Sequence, residues 1–122
     1  MQNKKPKVDL KEYQKLCKRT AKIFKDKKLE VACYGLGIAG EASDVAGCIK
    51  KTLFHGDDQT QGIKENLGDT MWYVAMIANL YDWNLEEILN ENIAELKKRY
   101  SRGFTNKEAR RDGKRVDWNE GK

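Results

Sequence analysis

After Pro6 the chain continues for 116 residues without a second proline. Proline is the residue that most reliably ends a helix, because it removes a backbone donor and clashes with the preceding turn. Without it, the apolar residues of this chain keep a period near 3.6, and no stretch alternates with period two. The expectation is an all-α fold of four helical segments. At 122 residues the chain is long enough for one domain with a real core.

The first segment opens at Asp9, with Glu12 three residues on in the manner of a capping box. Leu10, Tyr13, Leu16, Cys17, Thr20, Ala21 and Phe24 follow at helical spacing and predict a helix that ends near residues 26–28. The second, over 29–53, places Ala32, Leu36, Ala39, Ser43, Ala46, Ile49 and Leu53 on its core stripe. It also holds Gly35, Gly37, Gly40 and Gly47, each about 1 kcal/mol worse than alanine inside a helix. That expense predicts close packing against another helix, or room for a ligand, with a kink near Gly35 and Gly37 as the alternative.

A turn-rich loop over 55–62 carries His55, the one histidine, which reads as a local hydrogen-bonding group. The third helix, over 63–81, has Leu67, Thr70, Met71, Val74, Ile77, Ala78 and Tyr81 on one side and Trp72, Tyr73 and Met76 on the other. A helix apolar on every side must be covered on every side, which predicts an oligomer interface across Trp72 and Met76. Asn84 and Glu87 start the fourth helix, whose stripe of Leu85, Ile88, Leu89, Ile93, Leu96 and Tyr100 is interrupted by Asn92. An asparagine buried there must either tie two helices together or meet a ligand. Residues 1–8 read as a basic arm, 9–104 as the helical domain, and 105–122 as a basic tail with Arg110, Arg111, Lys114 and Arg115, anchored by Trp118.

Two of these helices carry carboxylate pairs, Glu41 with Asp44 and Glu65 with Asp69. Residues three or four apart share one side of a helix, so each pair projects as a unit. Packed antiparallel, the two helices can turn four carboxylates towards each other, a cluster that repels itself unless it holds a cation. Oxygen ligands alone suit Mg²⁺ or Mn²⁺ better than Zn²⁺.

Charge is distributed to match. Residues 1–28 hold 11 Lys/Arg against 3 acidic residues, residues 29–100 hold 6 against 12, and residues 101–122 hold 7 against 4. An acidic centre between basic ends fits a cation site serving phosphate chemistry, and equally a helical protein with a nucleic-acid-binding arm. The three cysteines show no C-x-x-C spacing and read as small buried hydrophobes of a reducing compartment. With no signal-like apolar run and no window of about 18 apolar residues, a cytoplasmic location without a membrane partner is expected.

The segments G-L-G-I-A-G-E-A-S-D-V-A, K-K-T-L-F-H-G, E-N-L-G-D-T-M-W-Y and N-I-A-E-L-K-K-R-Y-S-R-G-F, taken in order, resemble the MazG-like nucleotide pyrophosphohydrolases of the all-α NTP pyrophosphatase superfamily. The resemblance covers about residues 8–104. It implies a four-helix bundle, a homodimer or homotetramer, that uses Mg²⁺, with Mn²⁺ as an alternative, to cleave nucleoside triphosphates to monophosphate and pyrophosphate in nucleotide-pool house-cleaning. Carried over by motif, Glu41, Asp44 and Asp69 are metal ligands and the catalytic set, with Glu65 or Asn66 completing the shell and Glu41 activating water. Lys50, Lys51 and Arg99 become phosphate partners, Asn92 a sugar or phosphate contact, and Tyr13, Gln14 and Tyr73 candidates for base recognition. The chain departs from the family pattern at Asn66, neutral where an acidic ligand is usual, at Gly47, another commonly acidic position, and at Glu95, where a lysine is frequent.

Three further readings stand beside this one. The same bundle could hydrolyse a different pyrophosphate, such as phosphoribosyl-ATP, or bind nucleotide without turnover. Basic ends would also suit a nucleic-acid-binding helical oligomer.

Overall fold

A computed structural model describes residues 7–104 and 106. They form four α-helices, α1 (Leu10–Cys17), α2 (Lys27–Phe54), α3 (Thr60–Leu80) and α4 (Leu85–Arg99), with a 3₁₀ turn over Lys18–Thr20. Among the described residues there is no strand; Ser101 and Gly103 form an isolated bridge. The all-α, four-helix expectation is therefore met. Most of the expected arm, and the expected tail except Asn106, lie outside the described residues.

The chain divides after Glu86 into two compact units. In the first, α2 and α3 form the principal helix pair and α1 packs on α3. Asp9 caps α1 by accepting the Glu12 N–H at 2.7 Å, and Asp26 caps α2 by accepting the Lys28 N–H at 2.8 Å. The core holds Cys17, Tyr34, Ala75, Met76 and Leu85, with Tyr13, Phe24, Trp72 and Tyr73 packed against it. Gln14 is the one buried polar side chain among the described residues. Its Nε2 donates to the Trp83 carbonyl at 2.7 Å, its Oε1 accepts from the Leu85 N–H at 2.9 Å, and its own carbonyl accepts from Asn79 Nδ2 at 2.9 Å. One residue of α1 thus satisfies the backbone of the α3–α4 turn, where Asp82 takes a positive φ of 56°.

In the second unit the last turns of α4 carry a surface ion pair, Lys98 to Glu95 at 3.8 Å, and Tyr100 stacks on Phe104 with ring centroids 5.9 Å apart. Gly103, at φ 82°, donates its N–H to the Tyr100 carbonyl and closes the chain back on the helix end.

Several expectations are corrected. The first helix stops at Cys17, not near 26–28, because Thr20 turns its hydroxyl onto the Cys17 carbonyl and Ala21 becomes extended; Ala21 and Phe24 still reach the core from that extended segment. No break interrupts α2 at Gly35 or Gly37. The core stripe assigned to α2 is its outer face, with Leu36 74% and Leu53 67% exposed, while Tyr34, at 2%, marks the face that is buried. On α3, Met76 is buried within the chain and Trp72 packs on Tyr34, so the expected interface across these two residues is internal packing. Asn92 is exposed, as are Ile93 and Leu96 beside it, so it does not interrupt a buried stripe. Of the cysteines, all free, Cys17 is buried but Cys33 is exposed on the outer side of α2.

Candidate functional site

Contacts down the α2–α3 pair fix an antiparallel register. Tyr73 lies against Gly37, Cys48 against Gly62, and Thr52 Oγ1 accepts the Gln59 N–H at 2.9 Å. The same register sets Glu41 level with Asp69, and Asp44 level with Asn66. Glu41 is one helical turn after Gly37, and Asp69 one turn before Tyr73, so each carboxylate shares a side with the residue that holds the helices together.

Glu41 and Asp69 line a cavity of about 380 Å³ together with Thr20, Trp72 and Tyr73. Its aromatic wall is a set of mutual contacts. Trp72 and Tyr73 meet edge to face with centroids 5.0 Å apart, Tyr34 sits edge to face on Trp72 at 5.6 Å, and Trp72 Nε1 donates to Thr20 Oγ1 at 2.8 Å. Such edge-to-face ring contacts contribute about 0.5–1.5 kcal/mol each beyond what area burial alone would do.

The electrostatics of the cavity are unbalanced. Partial burial pushes the Glu41 carboxyl above its ordinary range, and the negative charges of Asp69 and Asp44 push it further the same way. Among the described residues the one ion pair joins Lys98 and Glu95, so no neighbouring cation neutralises these three carboxylates. An all-oxygen set with uncompensated negative charge fits a hard divalent cation. Among the described residues, however, no three His, Cys, Asp or Glu side chains are gathered closely enough to enclose one. The fit is therefore chemical, with Glu41 and Asp69 as the two facing donors and Asp44, exposed, beside them.

The other candidates stand elsewhere. Asn66 donates to Cys48 Sγ at 3.5 Å and is held in the helix interface. Glu65 is exposed and accepts from Gln61 Nε2 at 3.4 Å. Lys50 and Lys51 line a separate hollow of about 470 Å³ with Gly47, His55 and Asp57. His55 is the C-cap of α2, its N–H bonded to the Lys51 carbonyl. Gln14 lines a third hollow, with Lys11, Lys15, Lys18 and Trp83, and its amide is occupied by the backbone of the α3–α4 turn. Tyr13 packs against the core, and burial together with its hydrogen bond to Cys17 pushes its hydroxyl up to about 12. Arg99 and Asn92 belong to the second unit, where Arg99 lies over the Tyr100 ring at 5.9 Å. Sequence reasoning missed Thr20 and Trp72 as lining residues. Thr20 looked like part of a helix stripe, and only the early end of α1 frees its hydroxyl to accept from Trp72.

Residues 31–104 match the family model of the MazG nucleotide pyrophosphohydrolase domain. The Gene 37 protein of Mycobacterium phage L5 is 36% identical over 73 residues, which cover 56% of this chain and 64% of that protein. The chain thus spans less than two thirds of the length of that relative. No solved structure matches significantly. The family match takes in α2 from its second turn, α3 and α4, including both facing carboxylates, and covers more than half of the 122 residues, so the chain belongs to the MazG nucleotide pyrophosphohydrolase family.

Proposed function

We propose that the chain is a divalent-metal-dependent nucleoside triphosphate pyrophosphohydrolase that converts a nucleoside or deoxynucleoside triphosphate and water to the monophosphate and pyrophosphate. The observation that carries this reading is the pair of unneutralised carboxylates, Glu41 and Asp69, on one aromatic-walled cavity. Mg²⁺ or Mn²⁺, when bound, supplies neutralisation of the triphosphate and a more acidic water. Glu41 and Asp69, with Asp44 beside them, would hold it. Glu41, facing Asp69 across the cavity, is the group this reading assigns to take the proton of the attacking water. Trp72 and Tyr73 form one side of the site, and Asp69 stays exposed on it, open to an incoming triphosphate. Lys50 and Lys51, two to three turns further along α2, are the phosphate partners of this reading.

The outer face of α2 supports a homo-oligomer. Leu29 at 62%, Leu36 at 74% and Leu53 at 67% exposed form an apolar stripe on a 28-residue helix, and a second copy of the chain is the occupant that this reading assigns to it.

The direct test is incubation of the full chain with a panel of canonical and modified triphosphates, with the products separated by ion exchange. Monophosphate and pyrophosphate in equal amounts are expected; diphosphate and orthophosphate would refute the assigned bond. A second reading, a nucleotide binder without turnover, is favoured by one observation: the position of Asn66 carries an amide that is engaged with Cys48. Calorimetric nucleotide binding with neither product formed would select it.

A further inference from the structure

Four glycines lie within α2, and they are not equivalent. A Cβ built on Gly35, Gly40 or Gly47 meets nothing within 4 Å, whereas one built on Gly37 overlaps the Tyr73 ring at Cε1, Cδ1 and Cζ, the last at 2.6 Å. Glycine weakens a helix relative to alanine, so at Gly37 the weakening has a geometric return that the other three positions do not show among the described residues.

The ring it admits has neighbours on two sides and the cavity on another. Tyr73 is bounded by Trp72 at 5.0 Å and 88° and by Tyr34 at 6.2 Å and 55°, and Tyr34 is itself 2% exposed. The overlapped Cδ1 is next to the root of the ring, where a small rotation moves it little. A methyl group at 37 must therefore push α3 outward or swing the ring into the cavity. Gly37 lies one turn from Glu41 and Tyr73 one turn from Asp69, so either movement disturbs the spacing of the facing carboxylates.

We infer that Gly37 is a positioning residue: the space left by its missing side chain seats the Tyr73 ring against α2 and thereby sets the separation of Glu41 and Asp69 across the cavity. This rests on the reading of those two carboxylates as the metal-binding pair, and the test separates the two claims.

In the full chain without metal, the Trp72 indole N–H, bonded to Thr20 beside Tyr73, is followed by ¹H–¹⁵N NMR after assignment with Trp72→Phe. Gly37→Ala should shift that resonance, Gly35→Ala should not, and in a Tyr73→Ala background Gly37→Ala should add no further shift. Mn²⁺ alone is then titrated by calorimetry. Gly37→Ala should weaken binding about tenfold or more, Gly35→Ala should leave it within about twofold, and Tyr73→Ala should cancel the effect of Gly37→Ala, as coupled residues do. An unmoved resonance in Gly37→Ala, or an equal loss of Mn²⁺ affinity with and without Tyr73, overturns the positioning role. A coupled shift in a wild-type chain that binds no Mn²⁺ supports the positioning role and refutes the metal reading instead. If Gly37→Ala alone fails to fold, folding of the Gly37→Ala/Tyr73→Ala double variant supports the steric account, and its failure as well overturns it.

Discussion

The two faces of α2 are built from similar residues and do opposite things. The inner face seats Tyr34 in the core, admits Tyr73 at Gly37 and presents Glu41 to Asp69. The outer face is also apolar, through Leu29, Leu36 and Leu53, but nothing among the described residues covers it. An apolar stripe therefore says that a helix surface wants cover, not where the cover comes from. What separates the faces is shape and charge: aromatic rings and one facing carboxylate pair inside, aliphatic side chains and open glycines outside.

The sharpest way to break this contrast is to neutralise the inner face. Asp69→Asn should lower the rate of pyrophosphate release by about 10²-fold or more, measured at saturating metal, with the helical circular dichroism unchanged. On the outer face, Leu36→Glu should halve the assembly mass measured by light scattering, with the monomer still folded; an unchanged mass would move the interface elsewhere. Between the faces in size of effect lies Gln14→Ala, which leaves the Leu85 N–H and the Trp83 carbonyl without their partner and should destabilise the first unit by about 1–3 kcal/mol in urea titration.

A smaller effect follows from the raised Glu41 carboxyl. Because its folded value lies above its unfolded one, the folded chain holds the proton more tightly, so this group's contribution is full at acid pH and is lost as pH rises through the folded value. Metal-free Glu41→Gln should therefore melt higher than wild type at pH 7 and lose that advantage towards pH 4. Saturating Mn²⁺ should reverse the order at pH 7. The smallest expected difference is chemical: in a monomeric variant, exposed Cys33 should react with a thiol reagent well before buried Cys17, whose thiol burial also pushes up.

Much of this was readable in advance, for reasons that show where reading fails. Asp9 and Asn84 announce helix starts because a short polar side chain has few other uses there; Asn84 does accept the Glu86 N–H at 2.9 Å. Glu41 and Asp69 were legible because helical spacing and antiparallel pairing alone bring them level. The face of α2 was not, since Ala32, Leu36 and Ala39 make as good a stripe as Val31, Tyr34 and Ile38, and periodicity does not rank two stripes. Nor could spacing single out Gly37 among four helical glycines, because the distinction lies in a ring 36 residues away. The family resemblance makes Gln14 a candidate for base recognition, whereas its amide is held by the Trp83 carbonyl and the Leu85 N–H. Its role as the seal of the α3–α4 turn appears only when that turn is in place.

The central claim is that the Glu41–Asp69 cavity performs metal-dependent pyrophosphate release. Its most direct measurement is the pyrophosphate released from the best triphosphate of the panel by wild type and by Glu41→Gln, each with Mg²⁺, Mn²⁺ or EDTA. The account predicts turnover by wild type with either metal, none with EDTA, and a loss of at least about 10²-fold in Glu41→Gln that added metal does not restore. Equal turnover by Glu41→Gln, or turnover that survives EDTA, would contradict it.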